Sequence, residues 1–197
     1  MLGIHGLRLY KNIIPTSKLQ TFVFNELNEL FFFNKSALQR QVIHFGYEYD
    51  YSIKEPQTKK LKKSIDPPEW IECLGNIFFE QGLLKNKPNQ FILNKYSPGE
   101  GISAHRDHHP IFGNSIATLS LGSEYNMEFK TKFGENQIFR KEELSLPVGS
   151  LLVMSDNARY FWTHEIKKRK TDIRNNKRIK RENRISITFR TVNEEFI

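Results

Sequence analysis

The sequence has almost no cysteine and no long uninterrupted run of hydrophobic residues. Cys73 is the only cysteine among 197 residues, which excludes an internal disulfide framework and a cysteine-rich zinc site. A membrane-spanning helix needs roughly 18 consecutive apolar residues, and no segment is that long. The first residues also lack the pattern of a secretory signal. These absences predict an intracellular protein, in the cytoplasm, the nucleus or both, without membrane association.

The sequence also has fewer acidic than basic residues. The chain has 30 Lys and Arg residues against 22 Asp and Glu residues, which gives a formal net charge of +8. A basic protein favours acidic partners, of which nucleic acid is a common one. The charge therefore indicates a nucleic-acid partner, although many proteins are basic without binding one.

What the chain does contain is two helical segments followed by a series of short strands. Apolar residues recur at helical spacing in 15–33 and in 68–84, and 42–51 has an extended pattern. Short strands separated by Gly- and Pro-containing turns are predicted at 90–96, 115–121, 125–130, 149–155, 159–166 and 184–192. This order predicts one α+β domain, a β-sandwich or jelly roll with the N-terminal helices packed on one sheet.

The segment GISAHRDHH, residues 101–109, contains a candidate metal site. In an extended segment alternate side chains share a face, so His105 and Asp107 can bind one metal ion. His164, in a later predicted strand, supplies a third ligand. Two histidines and one carboxylate with open coordination positions form the facial triad of non-haem Fe(II) oxygenases. His-x-Asp also occurs by chance, and the competing histidines are His5, His44, His108 and His109.

Support for the triad comes from RISITFR, residues 184–190. Strand alternation places polar side chains on one face, namely Arg184, Ser186, Thr188 and Arg190. An exposed strand would alternate in the same way. Two arginines on one face nevertheless suit a dicarboxylate such as 2-oxoglutarate, because guanidinium binds carboxylate bidentately. Asn94 and Tyr96 share another strand face and can add neutral hydrogen-bonding groups to the same cavity.

Taken in order, N-x-Y, H-x-D, a distant His and R-x5-R resemble the AlkB family of Fe(II)- and 2-oxoglutarate-dependent dioxygenases. The resemblance covers about residues 40–192 and includes NKYSPGEGISAHRD, LSLGSEYNMEF, SLLVMS and RYFWTH. These phrases are most similar to the oxygenase domain of the family member that in animals is fused to a tRNA methyltransferase. The resemblance implies a single oxygenase domain over residues 1–197, with a double-stranded β-helix (jelly-roll) core.

The resemblance also implies a role for each motif. The ligands of Fe(II) would be His105, Asp107 and His164. The cosubstrate 2-oxoglutarate, which reacts with O2 at the iron, would be bound by Asn94, Tyr96, Arg184 and Arg190. Arg184 and Tyr96 would bind its distal carboxylate, whereas Arg190 and Asn94 would lie nearer the keto-acid end. The reaction would place a hydroxyl group on a substrate C–H bond.

The sequence says less about the substrate. Tyr47, Tyr49 and Tyr51 alternate in GYEYDY and can stack on an extruded base, but an exposed tyrosine-rich strand has the same pattern. His108 follows Asp107, where we expect a small polar residue in relatives, and is a further candidate contact. The insert 165–183 has nine Lys and Arg against three Asp and Glu. It suits either a phosphate-binding element or a solvated, partly disordered loop.

Three functions are compatible with these residues. The first is hydroxylation of a modified wobble uridine in tRNA by a monomeric enzyme that prefers RNA to DNA. The second is oxidative demethylation that repairs N-alkylated bases in DNA or RNA. The third is a protein-directed hydroxylase or demethylase, or an inactive binding module. The intact triad argues against inactivity, because loss of one ligand would be enough to abolish metal chemistry.

Overall fold

The fold, seen in a computed structural model that describes residues 3–32, 40–49, 60–133 and 138–197, is built on two antiparallel sheets. The six-stranded sheet has the order β1-β10-β7-β14-β5-β2. Its strands are β1 (Leu7–Tyr10), β2 (Gln41–Phe45), β5 (Gln90–Tyr96), β7 (Ser115–Gly122), β10 (Leu151–Ser155) and β14 (Arg184–Arg190). The four-stranded sheet has the order β6-β11-β8-β9. Its strands are β6 (Ile102–His105), β8 (Tyr125–Phe133), β9 (Ile138–Leu146) and β11 (Thr163–Ile166).

Two short hairpins and three helices complete the described chain. One hairpin pairs β3 (Tyr47–Glu48) with β4 (Lys62–Lys63), and the other pairs β12 (Thr171–Arg174) with β13 (Lys177–Lys180). The helices are α1 (Ser17–Phe32), α2 (Glu69–Glu80) and α3 (Asp156–Tyr160), and a 3-10 turn covers Glu194–Phe196. No helix in the described ranges is both long and apolar enough to cross a membrane.

The helices α1 and α2 pack on the outer face of the six-stranded sheet. Leu27 of α1 and Phe78 of α2 are buried in one cluster with the apolar face of β14, which is Ile185, Ile187 and Phe189. A second apolar cluster draws side chains from both sheets. The alternation of β14 explains this arrangement, because its apolar residues face the helices while its polar residues face the other sheet. The predicted α+β fold with helices on one sheet is confirmed.

Several local predictions need correction. The predicted strand 159–166 begins as helix, because α3 ends at Tyr160 and β11 begins only at Thr163. The extended segment 42–51 is interrupted at Gly46, where φ is +76 and a Cβ would collide with the carbonyl oxygen of Asn89. Glycine is therefore required at this bend. Residues 50 and 51 lie outside the described ranges.

The basic insert is an ordered hairpin, so the interpretation as a partly disordered loop is wrong. Asp172, with 0% exposure, accepts hydrogen bonds of 2.7 and 2.9 Å from Nε and Nη2 of Arg181, which is also fully buried. Arg169 Nε donates to the same carboxylate at 2.8 Å. A buried carboxylate with this many guanidinium donors is well compensated. All four residues of β13, in contrast, are exposed.

Candidate metal and cosubstrate site

The three candidate metal ligands meet where β6 pairs with β11. His105 and His164 are direct register partners across these strands, and their ring centroids lie 4.3 Å apart. Asp107 lies just beyond the end of β6 rather than on its face, and its Oδ2 is 3.6 Å from Nε2 of His164. One ligand atom from each residue lies within 4.8 Å of the others. The geometry and the donor types therefore fit a single Fe(II) ion.

The protonation states also suit metal binding. Burial, and then the charge of nearby His105, lower the pKa of His164 from 6.5 to about 4, so the imidazole is neutral near pH 7. Burial alone would raise the pKa of Asp107, but Arg190 and then His164 bring it well below its usual range. Nδ1 of His105 is 2.8 Å from the carbonyl oxygen of Ser103. A proton on Nδ1 would leave Nε2 available as a ligand.

Two arginines fix the position of Asp107. Nη1 of Arg190 donates to Oδ1 of Asp107 at 2.6 Å. Arg159, which is only 3% exposed, donates through Nη1 to the Asp107 carbonyl at 2.6 Å. It also donates to the carbonyls of His108, Phe112 and Gly113. Sequence reasoning missed Arg159, because nothing in its local pattern distinguishes it from a surface arginine on a short helix.

A cavity of about 460 Å³ lies beside the three ligands, on the inner face of the six-stranded sheet. The structure brings all the metal and cosubstrate candidates to this cavity, namely His105, Asp107, His164, Asn94, Tyr96, Arg184 and Arg190. The register explains why, since Arg184 is paired with Tyr96 and Ser186 with Asn94 across β14 and β5. Cross-strand partners point to the same side of a sheet.

The two β14 arginines have open donors inside this cavity. Arg184 is fully buried, and its Nη2 donates to Oγ of Ser120 at 2.9 Å. Its Nε and Nη1, and Nη2 of Arg190, have no hydrogen-bond partner within the described part of the chain. The Arg184 guanidinium lies 5.2 Å from the Tyr96 ring centroid. Buried donors of this kind are normally paired, so the residues fit a carboxylate-bearing cosubstrate.

The candidate substrate contacts are only partly assembled. Tyr49 and His108 line the cavity. Tyr47 is not among its lining residues, and both Tyr47 and Tyr49 pack against the apolar cluster that contains Ile111 and Phe112. Tyr51 lies outside the described residues. Tyr47 and Tyr49 therefore pack on the same cluster, as residues of one strand face would, but of these two only Tyr49 also lines the cavity.

Arg40 is a cavity residue that sequence reasoning missed. It lines the cavity, and its Nε donates to Oδ1 of Asn94 at 2.8 Å. Strand alternation could have found it, because Arg40, Val42 and His44 have the spacing of one strand face and Val42 is paired with Asn94.

Comparisons with known proteins agree with this geometry. The sequence profile of the 2OG-Fe(II) oxygenase superfamily matches residues 6–190. The chain is 40% identical over 141 residues to mouse tRNA (carboxymethyluridine(34)-5-O)-methyltransferase ALKBH8, which covers 71% of this chain and 20% of that protein. It is 34% identical over 174 residues to the Arabidopsis thaliana alkylated DNA repair protein ALKBH8 homolog, which covers 78% of this chain and 49% of that protein.

The chain thus spans about a fifth of the mouse relative and about half of the Arabidopsis relative. The solved structure of OsALKBH1 superposes with a TM-score of 0.61 over 94% of this chain and 98% of that chain, at 16% identity, which supports the shared fold. The match over residues 6–190, with the triad, shows that the chain belongs to the 2OG-Fe(II) oxygenase superfamily, as an AlkB-like dioxygenase that uses Fe(II), 2-oxoglutarate and O2.

Proposed function

We propose that this dioxygenase hydroxylates a base substituent in RNA, most specifically at a modified wobble uridine of tRNA. The observation that carries the proposal is the 40% identity to a protein whose name specifies carboxymethyluridine 34 of tRNA. The formal net charge of +8 also supports a nucleic-acid substrate. The hairpin β12–β13 adds exposed cations beyond the cavity, namely Lys177, Arg178 and Lys180.

In the proposed site, His105, Asp107 and His164 bind the iron. Arg184 binds the distal carboxylate of 2-oxoglutarate, since its Nε and Nη1 are open and buried. Arg190 lies next to the metal ligand Asp107, and with Asn94 it serves the keto-acid end. Tyr96 lies beside Arg184 and shares the distal carboxylate. When bound, iron and cosubstrate supply the activated oxygen that is inserted into a C–H bond.

The protein itself provides orientation and exclusion of water. Arg190 and Arg159 hold Asp107 and its loop through hydrogen bonds of 2.6 Å each. Tyr49, next to Phe112 with ring centroids 5.4 Å apart, offers an aromatic face to an extruded base. His108 lies on the same loop as Asp107 and lines the cavity. A base between these side chains would present its substituent toward the iron.

Mass spectrometry of nucleosides tests the proposal. Total tRNA is incubated with the protein, Fe(II), ascorbate and 2-oxoglutarate, and the His105→Ala variant is the control. We expect one added oxygen on a modified wobble uridine with the unaltered protein and none with the variant. An unchanged wobble uridine, in tRNA shown to carry the substituent, would contradict the proposed substrate.

Demethylation of N-alkylated bases is the second candidate function. It is favoured by the similarity to an Arabidopsis protein named for alkylated DNA repair. The same incubation with methylated oligonucleotides distinguishes the two, since demethylation removes a methyl group and adds no oxygen to the product. If neither RNA nor DNA changes while 2-oxoglutarate is still consumed, a protein substrate becomes the better interpretation. If no 2-oxoglutarate is consumed, the better interpretation is an inactive binding module.

A further inference from the structure

Arg40 has a position in the cavity that neither the metal nor the cosubstrate explains. It precedes β2 and continues the inner face on which Val42 is paired with Asn94 and His44 with Ile92. Its Nε donates to Oδ1 of Asn94 at 2.8 Å. No other hydrogen bond or ion pair joins its guanidinium to a residue that the structure describes. Its two Nη groups are therefore available to a ligand.

The cavity has more positive than negative charge. Four arginines line it, whereas one carboxylate, Asp107, does so among the described residues; the arginines are Arg40, Arg106, Arg184 and Arg190. Fe(II) adds two positive charges and 2-oxoglutarate adds two negative charges, so loading the site leaves the excess unchanged. Arg190 is paired with Asp107, and Arg184 is directed at the cosubstrate. Arg106 is exposed and donates to the Tyr160 carbonyl at 2.9 Å.

Among the cavity residues that the structure describes, Arg40 is therefore the half-buried cation to which neither Asp107 nor the proposed cosubstrate is assigned as a counter-ion. A guanidinium in a partly desolvated site strongly favours a planar pair of anionic oxygens, which it binds bidentately. Because Arg40 contacts Asn94, an anion bound there would lie beside the proposed cosubstrate site. The same contact fixes the Asn94 amide, with Oδ1 toward Arg40 and Nδ2 left free for the cosubstrate.

We infer that Arg40 is a specificity-determining residue that binds an anionic oxygen group of the substrate nucleotide, either a carboxylate on the base substituent or a backbone phosphate. The inference rests on the proposed function, because it requires a nucleotide in the cavity. Arg40 and the three candidate metal ligands line one cavity, so a substituent bound by Arg40 would lie in the cavity that contains the triad. Specificity for such a group would separate this chain's substrate from alkylated bases whose substituent carries no anionic group.

Binding measured without turnover tests the inference. Fluorescence anisotropy is recorded without oxygen, with Fe(II) and 2-oxoglutarate, on single-stranded RNAs that carry carboxymethyluridine, its methyl ester or plain uridine. We expect the unaltered protein to bind the carboxymethyl RNA roughly 10- to 100-fold more tightly than the ester, as for a charge-assisted hydrogen bond. Arg40→Gln should lose this preference, and Arg40→Lys should retain part of it.

Lys95→Gln is the matched control for loss of one positive charge. Lys95 is the next residue along β5 from Asn94 but lies on the opposite face, with its Nζ 5.7 Å from the Phe31 ring centroid. This variant should keep the full preference for the carboxymethyl RNA. A long-range charge effect would instead lower the affinity of Arg40→Gln and Lys95→Gln for the carboxymethyl RNA by the same factor. That result would overturn a direct contact by Arg40.

The remaining outcomes identify the bound group. If Arg40→Gln lowers the affinity for all three RNAs equally and Lys95→Gln does not, the anion is a backbone phosphate. If Arg40→Gln binds all three RNAs as the unaltered protein does, the inference is wrong. Failure of the proposed function would show itself differently, as absence of added oxygen in the aerobic nucleoside assay whatever the binding preferences.

Discussion

The interior of the cavity and its rim are built in different ways. In the interior, His105 and His164 are direct partners across β6 and β11, and Arg184 is fully buried on β14. At the rim, Tyr49 and His108 lie on connecting segments and are partly exposed. Paired strands thus determine where the candidate metal and cosubstrate groups lie, whereas loops carry these two proposed substrate contacts. The difference indicates that the residues for the reaction type lie mainly on paired strands, whereas the proposed substrate contacts Tyr49 and His108 lie on loops and Arg40 lies between the two groups.

The largest effect should come from removal of a metal ligand in the interior. We expect His164→Ala to lower iron affinity by more than about 100-fold, since loss of groups that merely support ligands already costs about 10- to 100-fold. Iron retained after desalting and succinate formed from 2-oxoglutarate are the measurements. His109→Ala is the control, because His109 is exposed on the same loop and does not line the cavity. Equal iron retention in both variants would show that His164 is not a ligand of the iron.

A loss of stability, rather than of a metal ligand, is expected where the basic hairpin joins the interior. Asp172→Asn leaves the buried Arg181 guanidinium without its carboxylate, and breaking such a pair costs about 3 to 5 kcal/mol of unfolding free energy. Arg181 lies 4.2 Å from the Tyr125 ring centroid, and Tyr125 neighbours Arg184. Binding of 2-oxoglutarate should therefore weaken as well. Urea denaturation measures the loss, and Glu182→Gln, at an exposed residue of the same insert, should change it little.

The close approach of β6 and β11 can be disturbed directly at Gly101. A Cβ at this position would collide with the carbonyl oxygen of Ile166, so Gly101→Ala must move the two strands apart. We expect a loss of about 1 to 3 kcal/mol, as for other overpacked sites, with weaker iron binding because His105 shifts from His164. Gly3→Ala is the control, since its nearest neighbour would be 3.9 Å away. Unchanged iron affinity in Gly101→Ala would show that strand spacing does not control the triad.

The smallest predicted effect is that of pH on the unfolding free energy of the metal-free protein. Burial, and then the charges of Arg190 and Arg40, lower the pKa of His44 from 6.5 to about 4. Between these values the unfolded chain binds more protons than the folded one, so stability should fall as pH decreases from 6.5 toward 4. We expect this group to contribute about 1 to 2 kcal/mol of that loss between pH 7 and 5. Denaturation of His44→Asn at both pH values should show a correspondingly smaller decrease.

Much of the interior could be predicted because strand alternation has a period of two. The sequence of β14 alone separates Arg184 and Arg190 from Ile185 and Ile187, and the structure places these pairs on opposite faces of the sheet. Asn94 and Tyr96 follow the same rule on β5. Once the strands are recognised, the residues that face one cavity follow from the pattern.

The remaining features depend on tertiary contacts that no local pattern records. Arg159 is a core residue only because four backbone carbonyls of the Asp107–Gly113 loop surround it. The insert 165–183 has a disorder-like composition, but its order rests on the buried Asp172 and Arg181 pair. Tyr47 and Tyr49 both pack against the Phe112 cluster and only Tyr49 of the two lines the cavity, a difference that their alternation in the sequence does not reveal.

The most direct test of the account is calorimetric titration of 2-oxoglutarate into iron-loaded protein without oxygen. We predict that Arg184→Gln weakens binding by roughly 10- to 100-fold, because the buried carboxylate loses its charge-assisted donors. Iron affinity should not change in this variant, and Tyr49→Ala at the rim should bind 2-oxoglutarate like the unaltered protein. Equal binding by Arg184→Gln and the unaltered protein would contradict a cosubstrate site on the inner face of β14.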